Sequence, residues 1–154
     1  MRDKAIISET VPAVQSSMWR GTGRIALLVV GDALCFLAFA SAGRTSHHEI
    51  TSPLANLATT ASVAFPFALS WFAVSPFVGA FRRSRTDSWR KMLTRAELAW
   101  LCAYPLALVL RVLIAPDHSL PLTFAIIILI SNAIFLGVWR SLFALGERLI
   151  ARAR

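Results

Sequence analysis

Asp32 stands inside an apolar run, Ile25 to Ala42 (IALLVVGDALCFLAFASA). A carboxylate there must find a proton, a cation or a polar partner, because an acid near the centre of a membrane span costs about 2.5–3.5 kcal/mol to insert. Counting 1.5 Å per residue from the inner edge puts Asp32 about 10 Å deep and Tyr104 of the third apolar run about 9 Å deep. Asn132 and Ser131 on the fourth run and Ser70 on the second lie further out on the same count. These residues could meet as one polar cluster. Two chemistries are open to it: hydrogen bonds that glue helices together, or a proton or substrate site. Arg111, about 20 Å from the same edge, can snorkel outward or bend toward Asp32 so that the two charges offset each other's burial. In a water-filled vestibule it would attract an anion.

After the first run the chain reads Gly43-Arg44-Thr45-Ser46-His47-His48-Glu49, and the topology derived below puts Asp117-His118 on the same side. Three imidazoles and two carboxylates could hold a divalent metal, but their spacing matches no ligand motif. They are read as interfacial polar residues, with no metal or cofactor expected. Cys35 and Cys102 lie in apolar runs without CxxC spacing and are read as small buried apolar side chains. No GxSxG, HExxH or Walker loop occurs, so no enzyme is expected.

The elements that must position these residues are four apolar runs, at about 25–42, 57–81, 98–115 and 122–145. Of the 154 residues 56% are hydrophobic and only 16% charged, and mean hydropathy is +0.63. A soluble domain carries about 25% charged residues, so the composition points to an integral membrane protein. The net charge of +8 would suggest nucleic acid in a soluble chain, but its distribution excludes that. Basic residues gather in alternate segments. They are Arg2, Lys4, Arg20 and Arg24, then Arg82, Arg83, Arg85, Arg90, Lys91 and Arg95, then Arg140, Arg148, Arg152 and Arg154. Only Arg44 and Arg111 fall elsewhere. This is the alternation of a four-span chain with both termini in the cytoplasm. The expected organisation is a flexible tail over 1–22, a transmembrane domain over 23–146 and a basic tail over 147–154.

Finer readings follow. Ala40-Ser41-Ala42 resembles a signal-peptidase site, but the apolar run is too long and Asp32 interrupts it, so the first span is expected to be retained. Segment 82–97 reads equally as a solvated loop or as a short interfacial helix capped by Thr86, Asp87 or Ser88. Pro66, Pro76 and Pro105 are expected to kink spans two and three. Trp71, Trp100 and Trp139 are expected as interfacial anchors. Ala61, Ser62, Gly79 and Gly137 are expected at close helix contacts.

Several of these elements occur together in a recognisable order: Asp32 in the first span, Gly43-Arg44-x-Ser46-His47 directly after it, Pro66-Phe67 with Trp71, Leu110-Arg111, and Trp139-Arg140. The pattern resembles the prokaryotic membrane family called domain of unknown function 3054, over about residues 25–145. Its most specific piece is GRxSH after a span with an embedded Asp. The resemblance implies four spans in a small bundle, no established activity, and Asp32, Arg44, Ser46, His47 and Arg111 as the set to test. His48 and His118 lie outside the pattern.

The expectation is therefore an all-α polytopic protein of a prokaryotic inner membrane, with four transmembrane helices and cytoplasmic termini. Its partners are the lipid bilayer and either a second copy or another membrane protein, with no nucleic acid. The leading reading is a small-solute or proton-coupled carrier acting as a homo-oligomer. In it Asp32 is the coupling carboxylate, Tyr104 and Asn132 are its neighbours, Arg44 and Arg111 attract an anion, and Ser46 and His47 stand at the outer mouth. The alternative is an accessory or assembly subunit without transport.

Overall fold

The computed structural model describes the backbone of residues 3–45, 53–86, 88–114 and 121–152, and the side chains of 21–43, 57–84, 86, 88–114 and 121–152. Among the described residues there are helices and no strand. The order is α1 (Asp3–Thr45), α2 (Pro53–Val78), one 3₁₀ turn (Arg83–Arg85), α3 (Trp89–Ile114) and α4 (Leu122–Arg152). Each of the four contains a segment long and apolar enough to cross a membrane: Gly21–Gly43, Leu57–Val78, Trp89–Ile114 and Leu122–Arg152. α1 packs on α2 and α4, α2 on α3, and α3 on α4, so the helices form a ring in chain order. Apolar side chains also cover the outside, Phe77 and Leu122 being 88% and 77% exposed. Such a surface suits lipid rather than water.

The helices run past the apolar runs. α1 is helical from Asp3, where a flexible tail was expected, and Pro12 near its start does not end it. α4 continues to Arg152, through most of the expected C-terminal tail. Segment 82–97 forms neither a plain loop nor a separate interfacial helix. Its later part is the first turns of α3 itself, with Lys91 N donating to Ser88 Oγ at 3.4 Å and Met92 N to Ser88 O at 2.8 Å. Ser88 thus caps a helix that continues straight into the third span. Pro66, Pro76 and Pro105 lie inside α2 and α3, which are continuous across them.

Aromatic rings fill the centre of the ring. Phe36 lies between Trp71 and Trp100, with ring centroids 6.2 and 5.7 Å away, and all three are 0% exposed. Trp71 and Trp100 are therefore core residues, not interfacial anchors. Each hides its indole by donating its N–H inside the protein, Trp71 to Asp32 and Trp100 to Leu129 O. Cys35 is buried as expected, whereas Cys102 is exposed on the apolar exterior.

Two glycines were expected to bring helices together, and one does. A Cβ at Gly137 would meet Glu97 Oε1 at 3.0 Å and Leu93 at 3.3 Å, so α3 and α4 approach closely there. Gly79 instead makes a turn, with a φ of 81°. Gly79 N donates to Pro76 O and Ala80 N to Ser75 O, the paired bonds of a Schellman motif that ends α2. Gly79→Ala would force an L side chain into the left-handed region, at a cost of about 1–2 kcal/mol. A lowered melting temperature in detergent, with helix content unchanged, is the expected result. An unchanged melting temperature would show that the turn is not under this constraint.

Candidate functional site: a charge pair sealed between the helices

The buried face of α4 repeats every fourth residue, through Ile128, Asn132, Leu136, Arg140 and Ala144. That spacing carries Arg140 to the level of Asp32 on the adjacent α1. Arg140 Nε donates to Asp32 Oδ1 at 3.0 Å and Arg140 Nη2 to Oδ2 at 2.5 Å, a bidentate fork. Trp71 Nε1 donates to Oδ2 from α2 at 3.0 Å. The remaining arm of the arginine, Nη1, donates to Ala80 O at 2.8 Å, a carbonyl placed by the turn at Gly79. The guanidinium also faces the rings of Phe81 and Trp71, at 5.0 and 5.8 Å from their centroids. Asp32 and Arg140 are both 0% exposed. Trp139, beside them, brings a second indole N–H near the carboxylate, but that nitrogen is buried without a hydrogen bond.

The structure thus gives Asp32 a different set of partners from those expected. Tyr104 donates its hydroxyl to Ala125 O at 2.8 Å, Asn132 donates to Ile128 O in its own helix, and Ser70 donates to Phe67 O. None of the three reaches the carboxylate. Arg111 stands with its guanidinium 5.6 Å from the Phe124 ring; the cation that meets Asp32 is Arg140, not Arg111. Arg44 is on the last turn of α1, but its side chain, together with Ser46 and His47, lies outside the described residues. So do His48, Glu49, Asp117 and His118. Among the described residues no group of three His, Cys, Asp or Glu side chains could hold a metal ion.

A second pair closes the basic end. Arg24 Nε donates to Glu147 Oε1 at 2.6 Å and Nη2 to Glu147 Oε2 at 3.2 Å. Nη2 also reaches Thr86 Oγ1 at 3.1 Å. The start of the first span is thereby tied to the end of the fourth and to the α2–α3 connection.

One acidic residue escapes the sequence reading altogether. Glu97 falls in the middle connection by charge and hydropathy, yet it faces Gly137 inside the third span and is half-buried. It lines an open groove of about 600 Å³ between α3 and α4, otherwise bounded mainly by Leu93, Ala133, Ile134, Gly137 and Val138. Among the described residues no hydrogen bond or ion pair holds it.

No curated protein and no solved structure matches the chain. A family model does match, over residues 29–143, a stretch that includes Asp32, Trp71, Glu97, Arg111 and Arg140. The chain accordingly belongs to the family described as "Protein of unknown function (DUF3054)".

Proposed function

We propose that this protein is a subunit of a prokaryotic inner membrane that works through its surfaces, as an accessory or assembly partner of other membrane proteins. Its termini lie in the cytoplasm, and the Asp32–Arg140 pair fastens its helices. The supporting observation is the enclosure of that pair. A coupling carboxylate must meet water or substrate from alternate sides. Asp32 instead has both oxygens held by Arg140 and Trp71 and is 0% exposed. The clustering of Arg24, Arg83, Arg90 and Arg148 at one end of the helices supports the cytoplasmic assignment of that end.

A second reading, a proton-coupled or small-solute carrier acting as a homo-oligomer, draws support from Glu97. A carboxylate in a span is a default candidate for a transport pathway, and this one, without a partner among the described residues, opens sideways onto a groove that a second copy could complete. In that reading Arg44, Ser46, His47 and Arg111 would form the outer mouth.

Native mass spectrometry of protein taken from its own membrane in mild detergent separates the two. A stoichiometric foreign subunit is the expected result. A self-contained dimer, whose flux in liposomes falls on Glu97→Gln, would overturn the assembly reading in favour of the carrier.

A further inference from the structure

The basic end of the helices holds a pocket that neither function uses. It has a volume of about 250 Å³ and is lined by Arg24, Arg83, Arg148, Thr86, Ser88 and Trp89 among others. Among the described residues of that lining Glu147 is the one acidic residue, and both its oxygens are engaged by Arg24. The described lining therefore keeps a surplus of positive charge, Arg83 and Arg148 being left over once Arg24 is matched with Glu147. The Arg24 side chain is only 7% exposed. Two of its nitrogens are bonded, but Nη1 is buried with no hydrogen-bond partner. The Thr86 hydroxyl is spent on Arg82 O, but a buried guanidinium N–H left open beside two further arginines and the Ser88 hydroxyl calls for an acceptor with several oxygens.

The same Arg24 and Arg83 also line a second cavity, of about 470 Å³, whose other walls include Leu27, Phe143, Ile150 and Ala151. A polar pocket thus opens beside an apolar groove between α1 and α4, at the end of the membrane-spanning segments. We propose that this pair of cavities binds a phosphate-bearing anion, and that the anion is the headgroup of an anionic phospholipid. Its phosphodiester sits among Arg24, Arg83 and Arg148, and an acyl chain lies along Leu27 and Phe143. A free phosphate would satisfy the arginines and leave the groove without a role. Such a lipid would bind whether the protein assembles or transports.

The test is lipid binding by native mass spectrometry of the purified full chain in detergent, titrated with phosphatidylglycerol or phosphatidylcholine. Phosphatidylglycerol should be retained in preference. Arg83→Gln/Arg148→Gln, which leaves the Arg24–Glu147 pair intact, should weaken that preference about 25-fold, at about five-fold per basic residue. Arg82→Gln/Arg152→Gln removes the same charge from the same end but outside both cavities, and should leave most of the preference in place. Equal loss in the two double variants would mean diffuse attraction and would overturn the site. So would an unchanged preference in Arg83→Gln/Arg148→Gln. Displacement of phosphatidylglycerol by millimolar inorganic phosphate would overturn the lipid as the source of the anion. Melting curves of both variants, matching the parent, confirm that each compared protein is folded.

Discussion

Arg140→Ala is expected to destabilise the protein more than any other single substitution. Removing one partner of a buried ion pair leaves the other charge uncompensated, at a cost of about 3–5 kcal/mol. Here the loss is compound, because the same guanidinium satisfies Ala80 O at the end of α2. Asp32→Asn should be milder. It leaves the arginine with the Ala80 carbonyl and the faces of Phe81 and Trp71, and an amide oxygen can still accept from Trp71. Replacing both charges together, Asp32→Leu/Arg140→Met, should recover the part of the Arg140→Ala loss that comes from the stranded charge, while Ala80 O and the Trp71 N–H stay without their partners. Thermal unfolding in detergent, with the four proteins compared at one pH, checks the order. A double variant as unstable as Arg140→Ala would mean that the bonds to Ala80 O and Trp71, and not the stranded charge, account for the loss. Unchanged melting of Arg140→Ala would remove the pair from its fastening role.

The partnership is half legible in the sequence. Asp32 stands out because charge is rare in an apolar run. Arg140 lies inside the run assigned to the fourth span, yet it groups with the basic C-terminal end, because alternation of Lys and Arg is read segment by segment and says nothing of which cation turns inward. The four-residue spacing of Asn132, Leu136 and Arg140 is the available signal. Tyr104 shows the complementary failure. Counting residues gives it the depth of Asp32, but depth fixes position along a helix and not around it. α3 stands diagonally across the ring from α1, and the Tyr104 hydroxyl turns to α4. In a soluble helix an apolar stripe would mark the inner face. Helices apolar all round give no such stripe, so spans are readable while the contacts between them are not. Trp71 and Trp100 follow the same logic. Their type suggests the interface, and only their hydrogen-bond partners, Asp32 and Leu129 O, reveal why they can be buried. Gly79 cannot be told from Gly137 either, because a backbone dihedral leaves no mark on composition.

Gly31, next to Asp32, yields the other large expected effect. A methyl group there would overlap Cε2 and Cζ2 of Trp139 and lie 2.5 Å from its Nε1. The indole cannot easily give way, because its Nε1 edge is buried and the ring packs edge-on against Phe143, with centroids 5.8 Å apart. Gly31→Ala should therefore behave as an overpacked core substitution rather than as a helix-favouring one. Overpacking costs about 1–3 kcal/mol, which outweighs the gain of about 0.8–1.0 kcal/mol that alanine brings over glycine in a helix interior. The displaced indole also presses on the Asp32–Arg140 pair, so the loss should sit toward the upper end of that range. A double-mutant cycle isolates the cause. In a Trp139→Leu background the collision is gone, and Gly31→Ala should then be neutral or mildly stabilising. If it costs as much there as in the parent, the α1–α4 contact at Trp139 is not what requires a glycine at position 31.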